Sequence, residues 1–178
     1  MRPNFCKVGW KKIPLHSMKI ATIILALLLP AMAAFAIPDG GKPTNCLKDI
    51  DMVDRYGKAF DFGSIDTPML LLYLNNPDCD LCHSVADSLE SSATISNAVA
   101  AGRLTVLSVY PGTDKQLWLS QPPKPSMVEC MNPSMSLYES DCYDFNALPA
   151  LFLQDKDGRL LLVDTSVNDV EKYLLEKK

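Results

Sequence analysis

Two cysteines, Cys79 and Cys82, are separated by two residues and stand just after a short apolar run. The run, from Met69 to Leu74, is typical of a strand that is buried on both faces. The turn residues 75–78 end it, and Asp78 is expected to cap the helix that follows. A thiol at a helix start lies near unpaired N–H groups and the positive end of the helix dipole, which favour a thiolate. The spacing therefore predicts a redox-active dithiol with Cys79 as nucleophile and Cys82 as its more buried partner.

The surrounding elements must hold this pair in place. Helical spacing continues from Cys82 through Val85, Ala86 and Leu89. The sequence also predicts strands over 58–62, 104–110 and 126–131, and a hairpin of strands 150–153 and 160–163. It predicts helices over 45–56 and 92–101, a short helix capped by Asp114, and a last helix from near Ser166. This order predicts an α/β fold with a mixed central sheet flanked by helices.

This order of elements, with a C-x-x-C at the end of the first core strand, resembles the thioredoxin fold. The segment Ala147-Leu148-Pro149 before an apolar strand is similar to the family's segment in which a cis-proline opens the third core strand. The resemblance implies that Pro149 lies across from the cysteines and that the Leu148 backbone pairs with a substrate strand. Residues 45–178, with an N-terminal extension and an insertion before the proline strand, more closely resemble the exported TlpA/ResA-type thiol–disulfide oxidoreductases.

The residues around the pair differ from that family in ways that affect the chemistry. Tyr73 occupies the position of thioredoxin's buried carboxylate, and Val85 that of the glutamate of ResA-like proteins, so neither position supplies a carboxylate. Asp78 and Asp80 flank Cys79, and their negative charge opposes a thiolate. This favours a reductase or isomerase over an oxidase. His83 is expected to be an exposed helix residue, with a role in tuning Cys79 as the alternative.

Two other interpretations of the motif remain open. Residues 79–83 match the C-x-x-C-H signature of c-type haem attachment. The buried strand before the motif favours the thioredoxin-like interpretation, which needs no cofactor, because a c-type haem requires a largely helical wrap and a distal ligand. The other alternative is a non-catalytic binding or scaffold module in which Cys79–Cys82 is a structural disulfide. No metal site is predicted, since the sequence has neither a second C-x-x-C nor paired histidines.

The first 36 residues are predicted to be a secretory signal peptide. They carry five basic residues and no acid, a ten-residue apolar core from Ile20 to Leu29, and the cleavage signal Ala34-Phe35-Ala36. Met18 is an alternative start. We expect cleavage near Ala36, a linker over 37–44, a thioredoxin-like domain over 45–178, and a periplasmic or secreted location.

Removal of this leader makes the chain strongly acidic. The basic residues fall from 17 to 12 while 21 acidic residues remain, which leaves a net charge of −9. Such a charge argues against nucleic acid as a partner. The expected partners are protein thiols and disulfides, with a membrane electron donor as a further candidate.

Three more cysteines follow the leader. Cys130 and Cys142 flank the insertion and are expected to form a structural disulfide in an oxidising compartment, with a second redox pair as the alternative. Cys46 is then the odd thiol, either buried and inert or paired with another chain.

Overall fold

The computed structural model describes residues 46–177, which form five strands and four α-helices. The strands are β1 (Met69–Leu74), β2 (Leu104–Tyr110), β3 (Val128–Met131), β4 (Ala150–Asp155) and β5 (Leu160–Leu162). The helices are α1 (Asp80–Ser91), α2 (Ala93–Ala100), α3 (Lys115–Ser120) and α4 (Val167–Glu176). No described helix is long and apolar enough to cross a membrane. The expected leader (1–36) and linker (37–44) lie outside the described residues, so both stay predictions.

The five strands form one mixed sheet in the order β3-β2-β1-β4-β5. β1 pairs in parallel with β2 and antiparallel with β4, and the outer pairs are parallel for β2 and β3 and antiparallel for β4 and β5. The predicted mixed sheet flanked by helices is therefore confirmed. Its register sets Leu74, the last residue of β1, opposite Ala150, the first residue of β4.

The central strand β1 is buried on both faces, as its continuous apolar sequence predicts. Leu72 and Leu74 pack into one core with Phe152, while Leu71 and Tyr73 pack on the other face against the core that includes residues of α1 and α4. From Leu71 to Leu74 no side chain is more than 2% exposed. Burying each large apolar side chain contributes about 1.5–3 kcal/mol. β1 is consequently a rigid base for the residues that follow it.

Side chains cap the N-terminal ends of α2, α3 and α4, close to where the sequence predicts that these helices start. Ser92 begins α2 by accepting a hydrogen bond from the backbone N–H of Ile95, and Ser166 begins α4 in the same way. Asp114 begins α3 by accepting from the N–H of Leu117 at 2.9 Å. Such caps satisfy N–H groups that have no partner within the helix.

The N-terminal segment differs from the prediction of a helix over 45–56 and a strand over 58–62. Of the described residues within 45–56, only those of a 3₁₀ turn at Cys46–Asp49 are helical. The chain beyond it is extended, and Val53 exchanges two backbone hydrogen bonds of 2.9 Å with Met131 at the edge of β3. The predicted strand is reduced to a single bridge between Val53 and Ala59. Covering a strand edge satisfies its backbone groups, and this tertiary pairing overrides the helical spacing of the apolar residues.

The predicted Cys130–Cys142 disulfide is wrong, and so is the interpretation of Cys46 as the odd thiol. Cys46 bonds to Cys142, with a Cα–Cα distance of 6.2 Å. Cys130 is a free thiol of β3, 0% exposed and paired in register with Val109 of β2. Its side chain belongs to the core, whereas the 3₁₀ turn brings Cys46 to the insertion from 96 residues away.

Candidate dithiol site

The loop between β1 and α1 is held by the side chains of two asparagines. Asn75 donates from its side chain to Ser108 Oγ at 2.9 Å and from its backbone to the Val109 carbonyl at 3.0 Å. The side-chain oxygen of Asn76 accepts from the backbone N–H of Asp78 at 3.0 Å, which is an Asx turn. The bonds of Asn75 join the loop to β2, and the turn at Asn76 sets the point at which α1 begins.

Cys79, rather than Asp78, is the N-cap of α1, which corrects the sequence prediction. Its backbone is extended, with φ −130° and ψ 110°, and its Sγ accepts a hydrogen bond from the backbone N–H of Cys82 at 3.1 Å. The sulfur is thus aimed at the N–H groups of the first turn, where the helix dipole also favours negative charge. Cys79 is only partly buried, so it is the more accessible of the two cysteines.

Cys82 is the more protected of the two thiols, as predicted. It is 1% exposed, and its Sγ lies 3.5 Å from the backbone nitrogen of Asn76. Burial first, and then the adjacent Cys79 sulfur, raise the pKa of Cys82 to about 12. Both cysteines are free thiols here. The pair thus combines an accessible sulfur at the helix start with a buried thiol that holds its proton at neutral pH.

Tyr73 lies directly below the pair and holds the first turn of α1. Its hydroxyl donates to the carbonyl oxygen of Cys82 at 2.6 Å. The side chain is 2% exposed, and burial raises its pKa, with the charges of Cys82, Cys79 and Asp87 adding to the effect. A phenol that stays protonated and whose single O–H is engaged positions the helix but does not accept a proton.

Pro149 lies at the same end of the sheet as the cysteines. The Leu148–Pro149 peptide bond is cis, and Ala150 pairs with Leu74, the last residue before the cysteine loop. Leu148 and Pro149 are both half-buried. The register therefore brings the three predicted parts of the site, namely the nucleophile, the buried thiol and the proline strand, to one edge of the sheet.

The charged and imidazole side chains next to the pair face solvent. Asp78 and Asp80 are exposed, and no ion pair joins either of them to another described residue. His83 is also exposed, but its Nε2 lies 2.8 Å from the carbonyl oxygen of Pro77. Because a carbonyl only accepts, Nε2 carries the proton in that bond and Nδ1 has the lone pair in neutral imidazole.

A cavity of about 200 Å³ borders Cys82 and was not predicted from the sequence. Arg55 lines this cavity and connects two other lining residues, since it bonds to Glu129 Oε2 at 2.9 Å and to the Gln121 carbonyl at 2.8 Å. The guanidinium also lies 5.6 Å from the centre of the Trp118 ring. The lining residues come from segments far apart in the chain, so no local motif could have indicated them.

The described residues offer poor support for a haem or metal at this site. A haem bonded through both sulfurs requires two accessible thiols, and Cys82 is packed inside the helix start. Within residues 46–177, no group of three or more His, Cys, Asp or Glu side chains is arranged to hold a metal ion.

Comparison with known proteins finds solved structures that have a similar fold. No protein-family model and no curated protein matches the sequence. A thioredoxin-like protein from Bacteroides caccae is 28% identical, with a TM-score of 0.64 over 71% of this chain. The match covers 47% of that protein, so this chain aligns with only about half of its length.

Two further structures cover most of their own length. The C-terminal domain of an uncharacterized protein from Bacteroides fragilis is 27% identical, with a TM-score of 0.65 over 71% of this chain and 91% of that domain. A thiol:disulfide interchange protein from Bacteroides sp. is 17% identical, with a TM-score of 0.58 over 71% of this chain and 84% of that protein. At that identity the third similarity concerns the fold alone.

Proposed function

We propose that this chain, which has the fold of the thioredoxin-like superfamily, is an exported thiol–disulfide oxidoreductase that acts on protein substrates through Cys79 and Cys82. The observation that carries the proposal is the position of Cys79 Sγ, which accepts from the Cys82 N–H at 3.1 Å at the start of α1. Thiol–disulfide exchange requires such a stabilised, accessible thiolate and a second thiol within reach of it.

The reaction has two exchange steps. In the first, the Cys79 thiolate attacks one sulfur of a substrate disulfide, so that a mixed disulfide forms and the other substrate sulfur leaves as a thiolate that takes up a proton. In the second, Cys82 loses its proton and attacks Cys79 Sγ. The Cys79–Cys82 bond forms, and the remaining substrate sulfur leaves. The substrate disulfide gains two electrons, and the protein dithiol loses two.

We place the substrate chain against the proline strand. Pro149 lies beside the cysteine loop through the pairing of Ala150 with Leu74, so an extended substrate that pairs with the backbone of Leu148 would bring its disulfide towards Cys79. Recognition through the backbone reads little sequence, which suits an enzyme with many protein partners.

The charges near Cys79 support one direction of electron flow over the other. Asp78 and Asp80 are exposed on either side of Cys79 and oppose its thiolate, which makes the disulfide form relatively more stable. We therefore propose a reductase or isomerase. Turnover as a reductase requires a dithiol electron donor. From the predicted leader we infer that the reaction takes place in the periplasm or outside the cell.

An insulin-reduction assay tests this proposal. In the presence of dithiothreitol the purified protein should accelerate insulin reduction, and Cys79→Ser should reduce the rate to the uncatalysed background. Ser84→Ala, an exposed change one turn into α1, is the matched control and should behave as the unaltered protein. No acceleration by the unaltered protein would instead favour a binding module with a structural Cys79–Cys82 bond.

The reduction potential of the pair tests the direction separately. We expect a value nearer the roughly −270 mV of reducing dithiols than the roughly −120 mV of strong oxidants. Equilibration with glutathione buffers, followed by alkylation and mass analysis, measures it. A value close to that of the strong oxidants would contradict the reductase assignment.

A further inference from the structure

The second exchange step needs a proton acceptor that is neither of the two cysteines. Cys82 is 1% exposed, and burial first, then the neighbouring Cys79 sulfur, raise its pKa to about 12, so it holds its proton at neutral pH. A thiol must become a thiolate before it attacks a disulfide. If the chain acts as proposed above, some group near Cys82 must therefore take this proton within each turnover.

The cavity of about 200 Å³ beside Cys82 is where such a group would act, because it is large enough to hold water that relays a proton. Most of its ionisable lining is engaged elsewhere. Glu129 is paired with Arg55 at 2.9 Å, and Asp87 lies 3.6 Å from Lys124, which also binds Glu90 at 3.1 Å. Carboxylates held by cations are weak bases, and the two cations accept nothing.

Tyr73 lines the same cavity but is unsuited to the task. Its hydroxyl proton is already donated to the Cys82 carbonyl at 2.6 Å. The burial that raises its pKa keeps it a neutral phenol. Tyr73 therefore positions the helix, and the proton of Cys82 must be accepted by another residue.

His83 is the remaining ionisable side chain of the lining, and its geometry leaves one nitrogen available. The 2.8 Å bond to the Pro77 carbonyl fixes the proton on Nε2 and leaves the lone pair on Nδ1. His83 lines the cavity together with Cys82, and it is exposed enough to return a proton to bulk water. Asp80 and Asp87 are the charged neighbours of His83 on α1, three residues before it and four residues after it.

We propose that His83 Nδ1 accepts the proton of Cys82 through water in this cavity and so sets the rate at which mixed disulfides are resolved. The Cys82 thiolate then attacks Cys79 Sγ, the Cys79–Cys82 bond forms, and the bond from Cys79 to the substrate sulfur breaks. The imidazolium passes its proton to the departing substrate thiolate or to solvent. The inference rests on the proposed function, because it concerns the second step of that reaction.

A single-turnover reaction with one equivalent of dithiobis-nitrobenzoate separates the two steps. Attack by Cys79 releases one thionitrobenzoate at a rate that depends on concentration, and attack by Cys82 releases the second at a rate that does not. His83→Gln is the informative variant, since its amide still donates to the Pro77 carbonyl but is not a base. Glu129→Gln, which removes the charge of a half-buried carboxylate that also lines the cavity, is the control.

In His83→Gln we expect an unchanged first release and a second release slower by about 100-fold at pH 7, the size of effect typical of a lost general base. The pH profile should also change. In the unaltered protein and in Glu129→Gln, the rate of the second release should be low at acid pH, where imidazole is protonated. It should reach a plateau at higher pH. In His83→Gln it should rise steadily with pH, because Cys82 must then lose its proton directly to solvent.

An unchanged second release in His83→Gln, with the same plateau, would overturn the role of His83 and leave the proposed function intact. Loss of the plateau in Glu129→Gln would likewise assign the proton to Glu129 instead. A protein with no first release at all would overturn both proposals, because Cys79 would then not be a nucleophile.

Discussion

The hydroxyl of Tyr73 donates a hydrogen bond of 2.6 Å to the carbonyl oxygen of Cys82, and so links the central strand to the first turn of the cysteine helix. Tyr73 is part of β1, a strand that is buried on both faces, so its position is fixed by packing on both sides. The bond transmits that rigidity to the helix start. The backbone of Cys82, the buried cysteine of the pair, is thus bonded directly to a side chain of the core.

Removing this hydroxyl should loosen the helix start. Tyr73→Phe keeps the buried ring but loses the bond, so we expect a loss of about 1 kcal/mol in the free energy of unfolding and faster alkylation of Cys82. Urea denaturation and the rate of iodoacetamide labelling measure the two effects. Tyr143→Phe, which removes the buried bond to Gln154, should destabilise the protein similarly without exposing Cys82. Equal Cys82 labelling in both variants would contradict the positioning role.

The unequal burial of the two sulfurs predicts which variant captures substrates. Cys82→Ala should accumulate mixed disulfides with client proteins, because the accessible Cys79 still attacks and the resolving thiol is missing. Cys79→Ala should accumulate none, since Cys82 is 1% exposed. Non-reducing gels of the two variants, expressed with their leader, make the comparison. Capture by Cys79→Ala would reverse the assigned roles.

The two acids around Cys79 predict a modest electrostatic effect. Asp80→Asn should increase the rate of Cys79 alkylation at neutral pH about two- to fivefold and raise the reduction potential, because a like charge near the thiolate is removed. The gain should shrink at high salt, since Asp80 is exposed. Asp157→Asn is the matched control, because this exposed residue lies in the turn after β4, at the far end of the sheet from Cys79. No difference between the two variants would refute the tuning by Asp80.

The Cys46–Cys142 disulfide should be identified directly by peptide mapping of the oxidised protein, with Cys130 recovered as a free thiol. Because the bond joins residues 96 apart in the chain, it restricts the unfolded state strongly. Cys142→Ala should therefore lower the free energy of unfolding by roughly 2–5 kcal/mol. A Cys130–Cys142 peptide in the map would contradict the structure.

Cys130 predicts a loss of stability in alkali. Burial, then the charges of Asp54 and Glu129, raise its pKa from 9.0 to about 12. Between these values the unfolded chain has lost a proton that the folded chain keeps, so the free energy of unfolding decreases as pH rises from about 9 to about 12, by about 1.4 kcal/mol per pH unit for one such group. In Cys130→Ala urea denaturation should show a shallower decrease, with the remainder due in part to Cys82. An identical slope in this variant would show that Cys130 titrates normally.

Local patterns were sufficient for the sheet, most of the helices and the position of Cys79 at the start of α1. A continuous apolar run such as β1 is typical of a strand with cores on both sides, and a C-x-x-C after a turn marks a helix start, because these features depend on neighbours within a few residues. The division between an accessible Cys79 and a buried Cys82 also follows from helical spacing alone. The cap was harder to predict, since Asp78 and Cys79 can both accept from the first turn and the Asx turn at Asn76 decides between them.

Other features depend on contacts between distant segments. The sequence predicted a disulfide at the insertion but not that Cys46 supplies its other half, because spacing along the chain does not show which thiols point into a core. The helix expected over 45–56 was displaced by pairing of Val53 with the edge of β3, where two backbone bonds replace helical ones. The cavity beside Cys82 is formed where Arg55 joins β3 to the loop after α3. The bond from His83 Nε2 to the Pro77 carbonyl, which leaves the lone pair on Nδ1, likewise depends on how the loop packs against α1. Amino-acid types determined that this chain carries a dithiol at a helix start, whereas the packing of remote segments decided how the buried thiol can lose its proton.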